Sequence, residues 1–284
     1  MRKFIISDRI ARKLKGLENE PTLPAKQEES AAAPEEEAVA EERAFRVASR
    51  TDIGLVRRMN QDVVIVGESI MGVADGMGGH KGGETASAGT RDGLLRILKD
   101  QEPAEETLRD AIAEVNLALW NQQLEDNDLT GMGTTLTVLW AGKENMVIGH
   151  VGDSRCYLLR DGEMRQVTED HSMVADMVRR GLLSEEQAAT HPMRNYITRA
   201  VGTEPTIQSD VQTLSRQLGD RWLVCSDGLH GLVGKDRLRE LMSLKDLDEA
   251  ADQMIREALD QGGRDNVSLV LAEDGCKTTS EVAE

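Results

Sequence analysis

The feature that most constrains this chain is the placement of four aspartates, each beside a glycine or an asparagine at one end of an apolar run. They stand in Met71-Gly72-Val73-Ala74-Asp75-Gly76, in Val147-Ile148-Gly149-His150-Val151-Gly152-Asp153-Ser154, in Trp222-Leu223-Val224-Cys225-Ser226-Asp227-Gly228, and in Gly263-Arg264-Asp265-Asn266, which opens the run Val267-Ser268-Leu269-Val270-Leu271. Apolar runs of this length read as buried strands. A side chain at a strand tip is held at the rim of the core. If the tips converge, several carboxylates share one small space, and two of them about 4 Å apart repel by roughly 4 kcal/mol at an effective dielectric of 20. A bound cation removes that penalty, so the pattern reads first as a metal site.

Composition excludes several other classes. The formal net charge of -17 argues against nucleic-acid binding, which needs basic surface to displace counterions. The simplest reading of the acidity is solubility. The 284 residues suffice for one large domain or two small ones, and 39% hydrophobic content supports a sizeable core. With aromatics at only 2%, that core rests on Leu, Ile, Val, Met and Ala. Cys156, Cys225 and Cys276 form neither a secreted disulfide framework nor a Cys-x-x-Cys zinc motif. Cys156 and Cys225 lie in apolar runs and read as small buried hydrophobes. No apolar stretch approaches the roughly 20 residues that span a bilayer, and no long apolar region follows the charged start. Cytoplasmic residence is the expectation by elimination.

The first 43 residues differ from the rest. Residues 1–17 are basic, with Ile6, Ile10, Leu14 and Leu17 at helical spacing. They form either a short amphipathic docking helix, able to touch a kinase complex or a membrane surface, or an unstructured tail. An acidic Ala/Glu-rich linker follows, read as disordered. A domain is expected over 44–274 and a frayed tail over 275–284. Within the domain, short strands are expected at 63–66 and 70–74, and helices at 84–99 and 104–123. The second helix presents Leu108, Ile112, Val115 and Leu119 on one face. Residues 134–140, 146–151 and 156–160 read as a three-stranded meander, and Asp161-Gly162 as a tight turn into 164–167. A polar helical region covers 171–191, with a capping box at Ser184-Glu185-Glu186-Gln187. A helix over 247–259 follows Asp246 and stops at Gly262-Gly263. A last strand covers 267–272. Strands grouped together and helices in separate blocks predict an α+β layered fold.

The loop Asp75-Gly76-Met77-Gly78-Gly79-His80-Lys81-Gly82-Gly83 adds chemistry to the tips. Glycines let backbone approach a ligand closely, so the Gly76 carbonyl can join Asp75 as a hard oxygen donor. Asp227-Gly228 and Asp265-Asn266 alone could be turns or caps. Together with Asp75 they supply carboxylates from separate elements. Oxygen ligands suit Mg²⁺ or Mn²⁺ rather than zinc. Two such ions can acidify a shared water and clamp a phosphoryl group.

Six segments, in order, carry a family resemblance: Thr51-Asp52-Ile53-Gly54-Leu55-Val56-Arg57-Arg58-Met59-Asn60-Gln61-Asp62, Val73-Ala74-Asp75-Gly76-Met77-Gly78-Gly79-His80, Gly131-Met132-Gly133-Thr134-Thr135, His150-Val151-Gly152-Asp153-Ser154-Arg155, Cys225-Ser226-Asp227-Gly228-Leu229, and Gly262-Gly263-Arg264-Asp265-Asn266-Val267. Across residues 45–272 the chain resembles the metal-dependent serine/threonine protein phosphatases, the PPM or type 2C family, and most of all its bacterial members. The resemblance implies a layered α-β-β-α sandwich of two antiparallel sheets flanked by helices. It implies two catalytic Mn²⁺ or Mg²⁺ ions held by Asp75, the Gly76 carbonyl, Asp227 and Asp265. Asp62 is implied beside them, and Asp153 is implied to hold a weaker third ion with Asp227. It implies that Arg57 grips substrate phosphate, that His80 protonates the leaving alkoxide, and that phosphorylated proteins are the substrates, opposite a cognate Ser/Thr kinase. Gln61 departs from the pattern: many members carry Glu there, so one carboxylate is missing. Residues 171–200 correspond to the family's flap, where His171 and His191 read as capping or surface groups. Two other readings fit the same residues: a non-catalytic phosphoprotein-binding module of the same fold, and a structural metal-binding protein, under which Arg57 and His80 are superfluous.

Overall fold

Several runs in this chain bury the side chains of both strand faces, which requires a cover on each side of the sheet. The computed structural model describes residues 43–78 and 81–276, and it meets that requirement with four layers. One sheet holds, in spatial order, β1 (Arg43–Asp52), β11 (Val267–Cys276), β10 (Arg221–Cys225), β7 (Arg155–Arg160) and β8 (Glu163–Gln166). The other holds β2 (Asp62–Val66), β3 (Ile70–Met77), β5 (Leu136–Ala141), β6 (Asn145–Val151) and β9 (Asp210–Ser215), with the short β4 (Gly133–Thr134) also on β3. The strand pairs within both sheets are antiparallel.

Alternation along each strand divides the core into three slabs. Met71, Val73, Leu139, Met146 and Ile148 of one sheet meet Cys156, Leu158, Trp222, Val224 and Val270 of the other. The opposite face of the second sheet, with Ala74, Val138 and Trp140, packs on α1 (Gly82–Ile97) and α2 (Glu105–Glu125). The opposite face of the first, with Tyr157, Leu223, Leu269 and Leu271, packs on α5 (Asp227–His230), α6 (Lys235–Met242) and α7 (Leu247–Asp260). Each fully buried large side chain contributes about 1.5–3 kcal/mol of transfer free energy.

Local signals act as the sequence suggests in most places. Leu108, Ile112, Val115 and Leu119 are all buried on α2. Asp246 accepts a hydrogen bond from the Glu249 amide at 3.0 Å and starts α7. Ser184 and Gln187 form the reciprocal capping box of α4 (Glu185–Thr190). The expected helical stretch over 171–191 is broken into α3 (Met173–Arg179) and α4 by Gly181, whose φ is +70°. Asp161 and Gly162, with φ of 53° and 80°, turn β7 into β8.

The three-stranded meander does not form. β5 and β6 pair, but β7 lies in the other sheet between β10 and β8. The crossing is made at Gly152, whose φ of +108° favours glycine and whose added Cβ would sit 2.6 Å from Thr135. Strand β11 also runs past the expected end, with Gly275 and Cys276 paired to Ala44 and Arg43 of an edge strand that carries no strong alternation in sequence. The docking helix and linker expected before residue 43, and the tail beyond 276, lie outside the described residues. No described helix is long and apolar enough to cross a membrane.

One buried ion pair ties the sheets together. Arg216, just after β9, donates to both carboxylate oxygens of Asp274 on β11, at 2.8 and 3.0 Å, with the two side chains 4% and 0% exposed. Its guanidinium also bonds the Gly142 carbonyl and lies 4.3 Å from the Phe45 ring centroid. Removing one partner leaves the other charge buried and uncompensated. Asp274→Ala is therefore expected to cost about 3–5 kcal/mol. Urea unfolding measures this, and a loss below about 1 kcal/mol contradicts it.

Candidate metal and phosphate site

Antiparallel register brings the first two carboxylates together: Asp62 opens β2 directly across from Asp75 on β3. The Asp75 backbone is anchored from the neighbouring segment. Its amide donates to Thr135 Oγ1 at 3.0 Å, while its carbonyl accepts from the Thr135 amide at 2.8 Å and from Thr134 Oγ1 at 2.9 Å. Gly76 follows where no other residue fits, since a Cβ there would lie 2.1 Å from the Gly83 carbonyl oxygen. The start of α1 thus packs directly on β3, leaving the Gly76 backbone beside Asp75.

The other carboxylates come from the opposite sheet and from the crossing turn. Asp227 begins α5 immediately after β10, Asp265 sits in the loop before β11, and Asp153 lies between β6 and β7. Gly228 permits this meeting, because a Cβ on it would stand 1.9 Å from the Asn266 carbonyl oxygen. Ser226 joins the two halves: its hydroxyl donates to Asp62 Oδ2 at 2.7 Å and accepts from the Ser268 amide at 3.0 Å.

The electrostatics show convergence. Burial is the main cause lifting Asp62 and Asp153 to about 6 and Asp227 to about 8. Asp227 is raised further by the charges of Asp153, Asp265 and Asp62, while Arg57 opposes the rise. Asp75 is pushed well above the carboxylate range by burial and then by Asp62, Asp227, Asp153 and Asp265. Five carboxylates therefore feel one another, although among the described residues no three of them close on a single point as a finished metal cage. Three buried oxygens in this space, Asp62 Oδ1, Asp153 Oδ1 and Asp227 Oδ1, have no hydrogen-bond partner among the described residues. Buried acceptors are ordinarily satisfied. An all-oxygen set with three orphaned acceptors fits hard divalent cations such as Mg²⁺ or Mn²⁺.

Arg57 stands at the rim, half exposed, and donates to Asp265 Oδ2 at 2.6 Å. The loop that carries it is clamped by Asn266. That side chain donates from Nδ2 to the Ile53 and Met59 carbonyls, both at 2.9 Å, and accepts from the Gln61 amide at 2.9 Å. Gln61 Nε2 reaches the Gly78 carbonyl at 3.4 Å. His80 lies outside the described residues.

Several supporting groups escaped sequence reasoning. His230 Nε2 donates to the Asp153 carbonyl at 3.0 Å, and burial drives its pKa down to about 3, so it is neutral. Arg155 bonds Asp170 in bidentate fashion at 2.7–3.1 Å beside it. Ser226 and Asn266 are adjacent to candidate ligands in sequence, which is a usable signal; His230 and Asp170 give none. His171 is corrected: it is buried, not a cap or surface group. Its Nδ1 accepts from the Gly152 amide at 3.1 Å and its Nε2 donates to Asp210 at 3.1 Å. His191 does cap, accepting from the Met193 amide at 3.1 Å.

Residues 58–272 match the family model described as protein phosphatase 2C. The serine/threonine protein phosphatase PstP of Mycobacterium tuberculosis is 40% identical over 232 residues, 81% of this chain. That match takes in 45% of the relative, so the chain spans about half the length of this protein. The serine/threonine phosphatase stp of Listeria welshimeri is 39% identical over 240 residues, covering 79% of this chain and 94% of the relative. A solved structure of the PstP catalytic domain in complex with two manganese ions superposes with a TM-score of 0.76 at 37% identity, covering 82% of this chain and 99% of that one.

Raised carboxylate pKa values mean that the folded state holds protons the unfolded state releases. In chelator, the contribution of Asp62, Asp153 and Asp227 to stability is complete below about pH 3.8 and is lost as pH rises through about 6 to 8. Mn²⁺ is accordingly expected to raise the melting temperature more at pH 8 than at pH 5, and an equal or reversed increment contradicts the cluster. Gly228→Ala is expected to lower the unfolding midpoint and to abolish that Mn²⁺ increment, because the added methyl drives Asp227 away from Asp265. A normal increment in this variant argues that Asp227 is not part of the site.

Proposed function

We propose that this chain, which belongs to the protein phosphatase 2C family, hydrolyses phosphoserine and phosphothreonine in proteins with Mn²⁺ or Mg²⁺ as its metal. The observation that carries the reading is the set of three buried carboxylate oxygens on Asp62, Asp153 and Asp227 that have no partner among the described residues, with Arg57 at its rim. Asp75, the Gly76 carbonyl, Asp227 and Asp265 are the proposed ligands of two ions, with Asp62 beside them and Asp153 toward a weaker third. When bound, the ions lower the pKa of water and neutralise phosphate charge.

The chain's own groups do the rest. Arg57 presents a planar fork that matches two phosphate oxygens. Its bond to Asp265 fixes the guanidinium before substrate arrives, so little reorganisation accompanies binding. Asp62, held by the Ser226 hydroxyl, keeps one oxygen free to accept a hydrogen bond from water and orient it toward phosphorus. His80 is proposed to protonate the departing serine or threonine alkoxide, a poor leaving group that benefits from an acid with near-neutral pKa. The buried neutral His230 and the Arg155–Asp170 pair hold the Asp153 turn without adding free charge. The reading extends to a cytoplasmic enzyme acting against a cognate Ser/Thr kinase, with residues 1–43 as a docking segment for that kinase or a membrane surface.

The test is turnover of a phosphothreonine peptide. Hydrolysis is expected with Mn²⁺ and abolished by EDTA, and Asp227→Asn is expected to lower kcat at least about 100-fold, beyond the range typical of groups that only support a metal ligand. Activity that survives EDTA, or that Asp227→Asn leaves unchanged, contradicts the proposal.

A further inference from the structure

Beside the carboxylate cluster lies an open cleft of about 180 Å³ lined by Arg57, Arg58, Met59, Gln61 and Gly78. Among the described residues no carboxylate lines it, in a chain with 51 acidic and 34 basic residues. Its two arginines differ in their commitments. Arg57 is bonded to Asp265 at 2.6 Å and faces the carboxylates, which raise its pKa further. Arg58 is exposed and makes no ion pair among the described residues, whereas Arg46, Arg50, Arg155, Arg160, Arg216 and Arg221 each face a carboxylate.

The wall that carries the two arginines is rigid. Asn266 pins the carbonyls on either side of them, at Ile53 and Met59, and the amide of Gln61 beyond. The Leu55 amide donates to the Gly263 carbonyl at 2.7 Å, and Gly54, with φ of +77°, lies so close to Asp265 that a Cβ would meet its carbonyl oxygen at 2.2 Å. Arg58 is therefore an uncommitted cation on a fixed support, one residue from the group proposed to hold the phosphate.

We infer that Arg58 is a specificity-determining residue, and that the cleft receives an acidic residue flanking the phosphorylated one in a protein substrate. The inference rests on the phosphatase reading above and deepens it. A strongly acidic protein repels acidic peptides at long range, so a local exposed cation beside the phosphate position changes which neighbours are tolerated. The attraction acts on a solvent-exposed pair, so its size is modest and salt-dependent.

The experiment compares two phosphothreonine peptides, one with Asp and one with Asn on both sides of the phosphothreonine, assayed with Mn²⁺ at low ionic strength. The acidic peptide is expected to have a kcat/KM about two- to fivefold higher for the unaltered chain, the range of an exposed charge pair. Arg58→Gln is expected to bring the ratio toward unity, Arg58→Glu to invert it, and added salt to shrink it. If the unaltered chain turns over both peptides equally, or if both variants keep its preference, the inference is overturned while the phosphatase reading stands. If the unaltered chain hydrolyses neither peptide, both fall together.

Discussion

Placing several carboxylates in a space largely closed to water is the constraint around which this molecule is built. Burial alone opposes ionisation of each group, and every neighbour adds to the opposition. A chain relieves that conflict by protonation, by arginine, or by cations. Here the relief from the described protein groups is partial: Ser226 satisfies one oxygen of Asp62 and Arg57 one of Asp265, but three oxygens have no partner among the described residues. What remains has the chemistry of a hard-cation site.

The fold exists to make that conflict possible. Asp62 and Asp75 belong to one sheet, Asp227 and Asp265 to the ends of strands in the other, and Asp153 to the turn that crosses between them. Only face-to-face packing of two sheets, filled by Trp222, Leu158, Val73 and Ile148, puts these tips at one edge. The small residues work at the joints. Gly76, Gly152 and Gly228 each sit where a side-chain carbon would collide with backbone or a neighbouring side chain within 2.6 Å. The glycines in the Asp-Gly pairs therefore serve close packing as much as ligand access.

Much of this was legible in the sequence, for identifiable reasons. An apolar run that ends in Asp and Gly reports a buried strand and a polar tip at once, so Asp75, Asp153 and Asp227 stood out. The face of α2 and the caps at Ser184 and Asp246 rest on local rules and appeared as expected. What failed was non-local. Strands β6 and β7 are both buried throughout most of their length, so their sequences cannot say whether the turn between them makes a hairpin or changes sheets. Strand β1 lies on an edge and β9 carries exposed polar residues, and neither has a strong period. His171 has the composition of a loop histidine, and only the approach of Gly152 and Asp210 makes it a buried one.

Diffraction from crystals soaked in Mn²⁺, recorded at the manganese absorption edge, tests the convergence of these carboxylates most directly. Two anomalous peaks about 3.5–4 Å apart, contacting Asp75, Asp227 and Asp265, are predicted. Manganese bound elsewhere, with these carboxylates still unliganded, contradicts it.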